Sequence, residues 1–126
     1  VVIANDNCPG QLVISGEVAA VEAACAAAKA AGAKRALPLS VSGAFHSPLM
    51  ESSAAEFRQV LDAVEFRAGR PVIANVTAEV VDDPSDWREL LERQLRSPVR
   101  WTETIRTMRR MGVSEAVELG NGEVLC

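Results

Sequence analysis

Histidine is almost missing from this 126-residue sequence; one, His46, is all there is. A metal site built on imidazoles therefore has no support, since the ligands it needs are not clustered. Cysteine is scarce as well. Cys8, Cys25 and Cys126 are odd in number, widely spaced and form no Cys-X-X-Cys pair, a pattern that fits free thiols in a reducing cytoplasm. No apolar run is long enough to span a bilayer, because the Ala-rich stretch 23–31 is short and contains Lys29, and no signal peptide is spelled at the start. A basic excess is also lacking. With 13 Lys and Arg against 17 Asp and Glu the formal charge is -4, which argues against nucleic acid or an anionic membrane as a general partner. Lys34 with Arg35, or Arg106, Arg109 and Arg110, remain candidates for a local anion patch, with a solvated helix face as the default.

What is present is a globular composition, 48% hydrophobic and 24% charged, in a length that suits one domain with a core. The abrupt start at Val1-Val2-Ile3-Ala4 reads as a cut from something longer. Val1–Asn5 is β-branched and predicts a strand, stopped by the turn formers Asn5 to Gly10; Gln11–Ile14 predicts a second, making an antiparallel hairpin. Ser15 or Gly16 can cap a helix whose inner side carries Val18, Val21, Cys25 and Ala28, with Gly32 as its stop. Ala33–Val41 reads as a third strand, placed at an edge or bulge by Pro38.

Further on, Met50, Ala54, Phe57, Leu61 and Val64 define the apolar side of a helix. Pro71–Asn75 is near-continuously apolar, as in a strand covered on both faces. Asp86 and Glu89 offer a capping box for a helix carrying Trp87, Leu90, Leu91 and Leu95. Trp101, Ile105 and Met108 share a face of the next helix, which Gly112 ends. Val113–Leu119 predicts a last strand, closed by Gly120-Asn121-Gly122, a pattern too weak to read as a nucleotide loop.

His46 falls between the extended run 35–41 and a helix for which Ser47 is a good N-cap and Pro48 a good first residue. A ring just outside a helix N-terminus feels the positive end of the dipole, which favours the neutral form that a general base requires. A single histidine can equally be no more than a satisfied polar group. The local spelling weighs for chemistry. Gly43-Ala44-Phe45-His46-Ser47-Pro48-Leu49-Met50, with Lys34 to Leu39 before it and Arg93-Gln94-Leu95-Arg96-Ser97-Pro98-Val99-Arg100-Trp101 after it, resembles the malonyl-CoA:acyl carrier protein transacylases of fatty acid synthesis. The resemblance runs over essentially the whole chain and corresponds to the C-terminal portion of such an enzyme.

That resemblance implies an α/β architecture: residues 1–46 as a partial ferredoxin-like α+β subdomain, its first strand and helix missing, and 47–126 as the C-terminal part of an α/β-hydrolase-like core with a parallel sheet. It implies a cytoplasmic enzyme without cofactor or metal, whose substrate is malonyl-CoA and whose partners are the acyl carrier protein with its phosphopantetheine and the missing N-terminal part. His46 would be the catalytic base and Gln94 the orienting group, its carbonyl accepting the proton of one ring nitrogen. Phe45, beside the base, would narrow the acyl pocket toward malonyl over methylmalonyl while also serving the core. Asn7, in Asn7-Cys8-Pro9-Gly10-Gln11, approximates the family's Asn-X-Pro-X-Gln loop over the cleft. The nucleophile is a serine in a Gly-His-Ser-X-Gly elbow, and none of Ser15, Ser40, Ser42 or Ser47 has the flanking glycines. The chain alone is therefore expected to be inactive. Arg35 and Arg100 match no motif for the arginine that pairs with the malonyl carboxylate. Glu118-Leu119-Gly120-Asn121-Gly122-Glu123 departs from the usual Gly-Pro-Gly followed by Lys, so any anion contact there is in doubt. A polyketide synthase acyltransferase domain and a non-catalytic binding module derived from the family stand as alternatives.

Overall fold

A computed structural model describes residues 1–120 as a mixed α/β arrangement of four α-helices and two small antiparallel sheets. Strand β1 (Val2–Cys8) pairs with β2 (Gln11–Ser15) through a tight turn at Pro9-Gly10. Pro9 presets its own φ, and Gly10 takes φ +88°, which a side chain would make strained. The strand runs three residues past its expected end at Asn5 because it gains a second neighbour. Asp6 N–H donates to the Val99 carbonyl (2.9 Å) and Val99 N–H to that of Ala4 (2.8 Å). The β1–β2 register skips Ala4 and Asn7, irregularities of the bulge kind that bend a strand and re-aim a side chain.

Helix α1 (Val18–Ala30) starts from Glu17, not Ser15 or Gly16, and no side chain caps it. Val21, Ala24, Cys25 and Ala28 form a half-buried stripe, while Val18, expected on the same side, is exposed. Two expected strands are not formed. Residues 33–41 and 113–119 run without strand pairing, and Leu37, Leu39, Val41, Val117 and Leu119 are exposed. A strand needs a neighbour to take its N–H and C=O groups, and neither segment finds one among the described residues. Pro71–Asn75 likewise shrinks to β3 (Ile73–Ala74), which pairs antiparallel with β4 (Glu79–Val80) in place of the expected parallel sheet. Pro71 and Val72 are exposed, so this run is not covered on both faces.

A 3-10 turn, Pro48–Met50, leads into α2 (Glu51–Asp62), which buries Ala54 and Leu61 against α3 (Trp87–Gln94). Arg58 to Glu92 (3.1 Å) ties α2 to α3, and Arg96, just after α3, reaches Glu51 of α2 (3.4 Å). The capping box of Asp86 and Glu89 does not form. The chain enters α3 one turn early, through the 3-10 turn Pro84–Asp86, and Asp83 caps that turn by accepting from Ser85 N–H at 2.8 Å. Helix α4 (Trp101–Arg110) differs more deeply from expectation, since its buried residues are Thr104 and Thr107 while Ile105 is exposed. Both threonines are satisfied: Thr104 Oγ1 donates to the Arg100 carbonyl (3.0 Å), and Thr107 Oγ1 to that of Ala78 (2.7 Å). Among the described residues the buried hydrophobic ones are Ala4, Ala54, Leu61, Ala74, Val76 and Ala78, mostly small side chains that let backbone segments approach one another.

Candidate functional site

The segment Gln94–Arg100, between α3 and α4, is where the separate parts of the chain meet. Its Val99 extends the ladder of β1, and its Arg100 N–H donates to the Asn75 carbonyl (3.2 Å) in the β3–β4 turn. Its carbonyls also hold His46 from three directions. The main-chain N–H of His46 donates to Leu95 (2.9 Å), and ring Nδ1 lies 3.0 Å from the Gln94 oxygen and 3.1 Å from that of Ser97. His46 is half-buried.

Two carbonyl oxygens can only accept, so Nδ1 must carry a hydrogen, and in the neutral ring Nε2 is then the bare, basic nitrogen. The Gln94 side-chain Nε2 lies 3.3 Å from the same Nδ1. Two N–H groups make no hydrogen bond, so with Nδ1 protonated the amide favours the ring only when turned to present Oε1. The orienting contact is thus carried by main-chain oxygens.

This arrangement depends on an unusual backbone. His46 has φ +62°, a left-handed conformation that costs an L residue about 1–2 kcal/mol. The three bonds to residues 94–97 offset that cost, each contributing about 0.5–1.5 kcal/mol. Ser47, only 1% exposed, follows immediately; its hydroxyl donates to the Ala44 carbonyl (2.6 Å) and accepts from Leu49 N–H (3.3 Å). The N-cap and the Pro48 start expected from the sequence are both formed.

Phe45 is not a core residue. It is 43% exposed, and its ring folds over Gly43, where a Cβ would meet it at 3.2 Å. Asn7 belongs to β1 and not to the loop after it; half-buried at the register shift, it sits on the strand that Val99 and Thr102 hold. His46 and Asn7 are therefore tied to one another through the 94–102 stretch. Ser97, whose carbonyl is the second acceptor for the ring, carries no signal in the sequence, because a main-chain oxygen has no spelling.

Arg100 is committed to structure. Its guanidinium bonds Glu103 (2.7 Å) and the Thr77 carbonyl (3.0 Å). That bond raises the arginine above its ordinary value and holds the Glu103 carboxyl below the usual range. Arg106 and Arg110 line a 180 Å³ cleft with Arg100 and Glu103, while Arg35 is exposed in the 33–41 segment. A larger cleft of 360 Å³ lies between the 67–72 loop and Trp87; His46 lines neither. No helix among the described residues is long and apolar enough to cross a membrane. No three His, Cys, Asp or Glu side chains converge there. Asn121, Gly122, Glu123 and Cys126 lie outside the described residues.

No family model matches the chain. It is, however, 50% identical over 124 residues to a malonyl CoA-acyl carrier protein transacylase of Bacillus subtilis (strain 168), a match covering 98% of this chain and 39% of that protein. Among solved structures, an acyl carrier protein S-malonyltransferase of Vibrio cholerae O1 biovar eltor superposes with a TM-score of 0.92 at 47% identity, covering 98% of this chain and 41% of its own. A malonyl-transacylase in complex with its type II PKS acyl-carrier protein gives a TM-score of 0.93, also at 47% identity, with 98% and 40% covered. The chain spans about 40% of the length of these relatives and matches their C-terminal portion.

Proposed function

We propose that this chain is the C-terminal portion of a transferase that moves a malonyl group from malonyl-CoA to the thiol of an acyl carrier protein, with His46 as its general base. The observation that carries the reading is the His46 ring, its Nδ1 between the Gln94 and Ser97 carbonyls and its Nε2 left to take a proton. A serine supplied from outside this chain attacks the thioester carbonyl while Nε2 accepts the hydroxyl proton; the carbon–sulfur bond breaks and CoA leaves as the thiol, taking that proton. The carrier's phosphopantetheine thiol then attacks the malonyl-serine ester, giving its proton to Nε2 and returning one to the serine oxygen. No cofactor or metal enters either half. In the whole enzyme Phe45, exposed beside the base, narrows the acyl pocket, and Asn7, on β1, is the residue assigned to contact with the substrate.

The surface supports a larger whole. The chain exposes 9154 Å², whereas a compact protein of 13.4 kDa would expose about 6,500 Å². Residues 1–46 on this reading complete a ferredoxin-like subdomain, and 47–126 complete an α/β-hydrolase-like core, once the upstream part supplies the strands that 33–41 and 113–119 lack. The carrier can belong to polyketide as well as fatty acid synthesis, a reading favoured by the similarity to the complex with a type II PKS carrier.

The test is malonyl transfer from malonyl-CoA to a holo acyl carrier protein. The chain alone should give no turnover above its His46→Ala variant. Joined to an upstream part bearing the serine elbow it should transfer, and His46→Ala should then abolish transfer. Turnover by the isolated chain would refute the claim that its nucleophile lies elsewhere.

A further inference from the structure

We propose that Ser47 is a positioning residue for His46, its hydroxyl holding the left-handed turn that sets ring Nδ1 between the Gln94 and Ser97 carbonyls and so fixes the Nδ1–H tautomer. The inference rests on the reading of His46 as the base and gives that site a residue whose task is orientation. Ser47 Oγ sits at a junction of two bonds. It donates to the Ala44 carbonyl (2.6 Å), which closes the 44–47 turn with His46 inside it. It accepts from Leu49 N–H (3.3 Å), which starts the 3-10 turn leading into α2.

His46 between these anchors is kept at φ +62°. N-capping alone does not account for this, because a cap needs only an acceptor, and here the donor half of the hydroxyl is spent on the turn before the helix. The side chain is 1% exposed, so water does not substitute for it when the hydroxyl is removed. A Ser47→Ala chain would leave the Ala44 carbonyl without this partner and let residue 46 relax toward negative φ. The ring would move off the 94 and 97 carbonyls. Without those acceptors a neutral imidazole in water favours the Nε2–H form, which removes the lone pair from the nitrogen that has to act.

His46 is the only histidine, so its ring resonances are unambiguous in nitrogen-15 correlation spectra of the chain. Wild type should show Nδ1 as the protonated, pyrrole-like nitrogen at a pH where the ring is neutral. In Ser47→Ala that signal should shift to the averaged position of mixed tautomers, and Ser47→Thr, which keeps the hydroxyl, should restore it. A Ser47→Ala chain that folds, by amide dispersion, and retains the wild-type Nδ1 signal would overturn the proposal. If Ser47→Ala does not fold, Ser47→Cys carries the test, since it keeps the volume but donates weakly: mixed tautomers support the proposal and the wild-type signal overturns it. Absence of malonyl transfer in the assembled enzyme would sink the transferase reading without altering this result.

Discussion

Gln94 reaches the His46 ring through its main-chain oxygen, so its side chain is expendable for that contact. Gln94→Ala should therefore leave the Nδ1 nitrogen-15 signal of His46 at its wild-type position; a shift toward mixed tautomers would show that the amide sets the ring. The second acceptor, Ser97, makes the same point about legibility. The imidazole and its neighbours in the chain are spelled out, whereas the oxygens that orient it, those of Gln94 and Ser97, are main-chain groups that every residue has. Charge at single residues gives a second expectation. Its hydrogen bond with Arg100 holds Glu103 below the usual carboxylate range. A group depressed in the folded state adds stability that is present above its unfolded value, about 4.3 for glutamate, and is lost as pH falls through the lower folded value. Acid titration of stability should thus be shallower in Glu103→Gln than in wild type below about pH 4.3, and identical slopes would show that the pair contributes nothing.

Helix α4 shows how an element can be found from sequence while the side chains it buries most deeply are not. Trp101 and Met108 of the shared apolar face are half-buried, yet the fully buried side chains are Thr104 and Thr107, and it is Thr107 that meets the turn between β3 and β4. Contact is made there by hydrogen bonds: Thr107 Oγ1 to Ala78, whose φ is +57°, and Arg100 to the Val76 and Thr77 carbonyls. Thr107→Val keeps the shape and removes one donor from a buried carbonyl, which should cost about 1–3 kcal/mol. Urea unfolding checks it through a lowered midpoint at unchanged slope; an unchanged midpoint would mean that the bond carries no weight. The starts of α2 and α3 divide similarly. Ser47 and Pro48 were readable because the cap lies next to its helix. Asp83 was not, because it caps a 3-10 turn that the helical period does not announce.

For the whole molecule, the large exposed surface and the two unpaired segments belong together. Residues 33–41 and 113–119 are apolar enough to be strands, and neither has a strand neighbour among the described residues. Their amides in the isolated chain, apart from the locally bonded Ala33, Val41 and Val113, should exchange with solvent within the fastest class, while those of β1 and α2 are protected. Adding the upstream polypeptide of the proposed enzyme should slow exchange in both segments, and continued fast exchange would argue that these strands are not completed by it. The sequence by itself determined the β1–β2 hairpin, the four helices, and the placing of His46 ahead of a capped turn, since each rests on neighbours within one or two turns of chain. Only the tertiary structure decided that the Gln94 and Ser97 carbonyls would meet Nδ1 of the imidazole, that α4 would bury its threonines, and that two strand-like segments would stay unpaired among the described residues. Those outcomes depend on which distant backbone groups come within hydrogen-bonding reach, and residue identity along the chain carries no record of that.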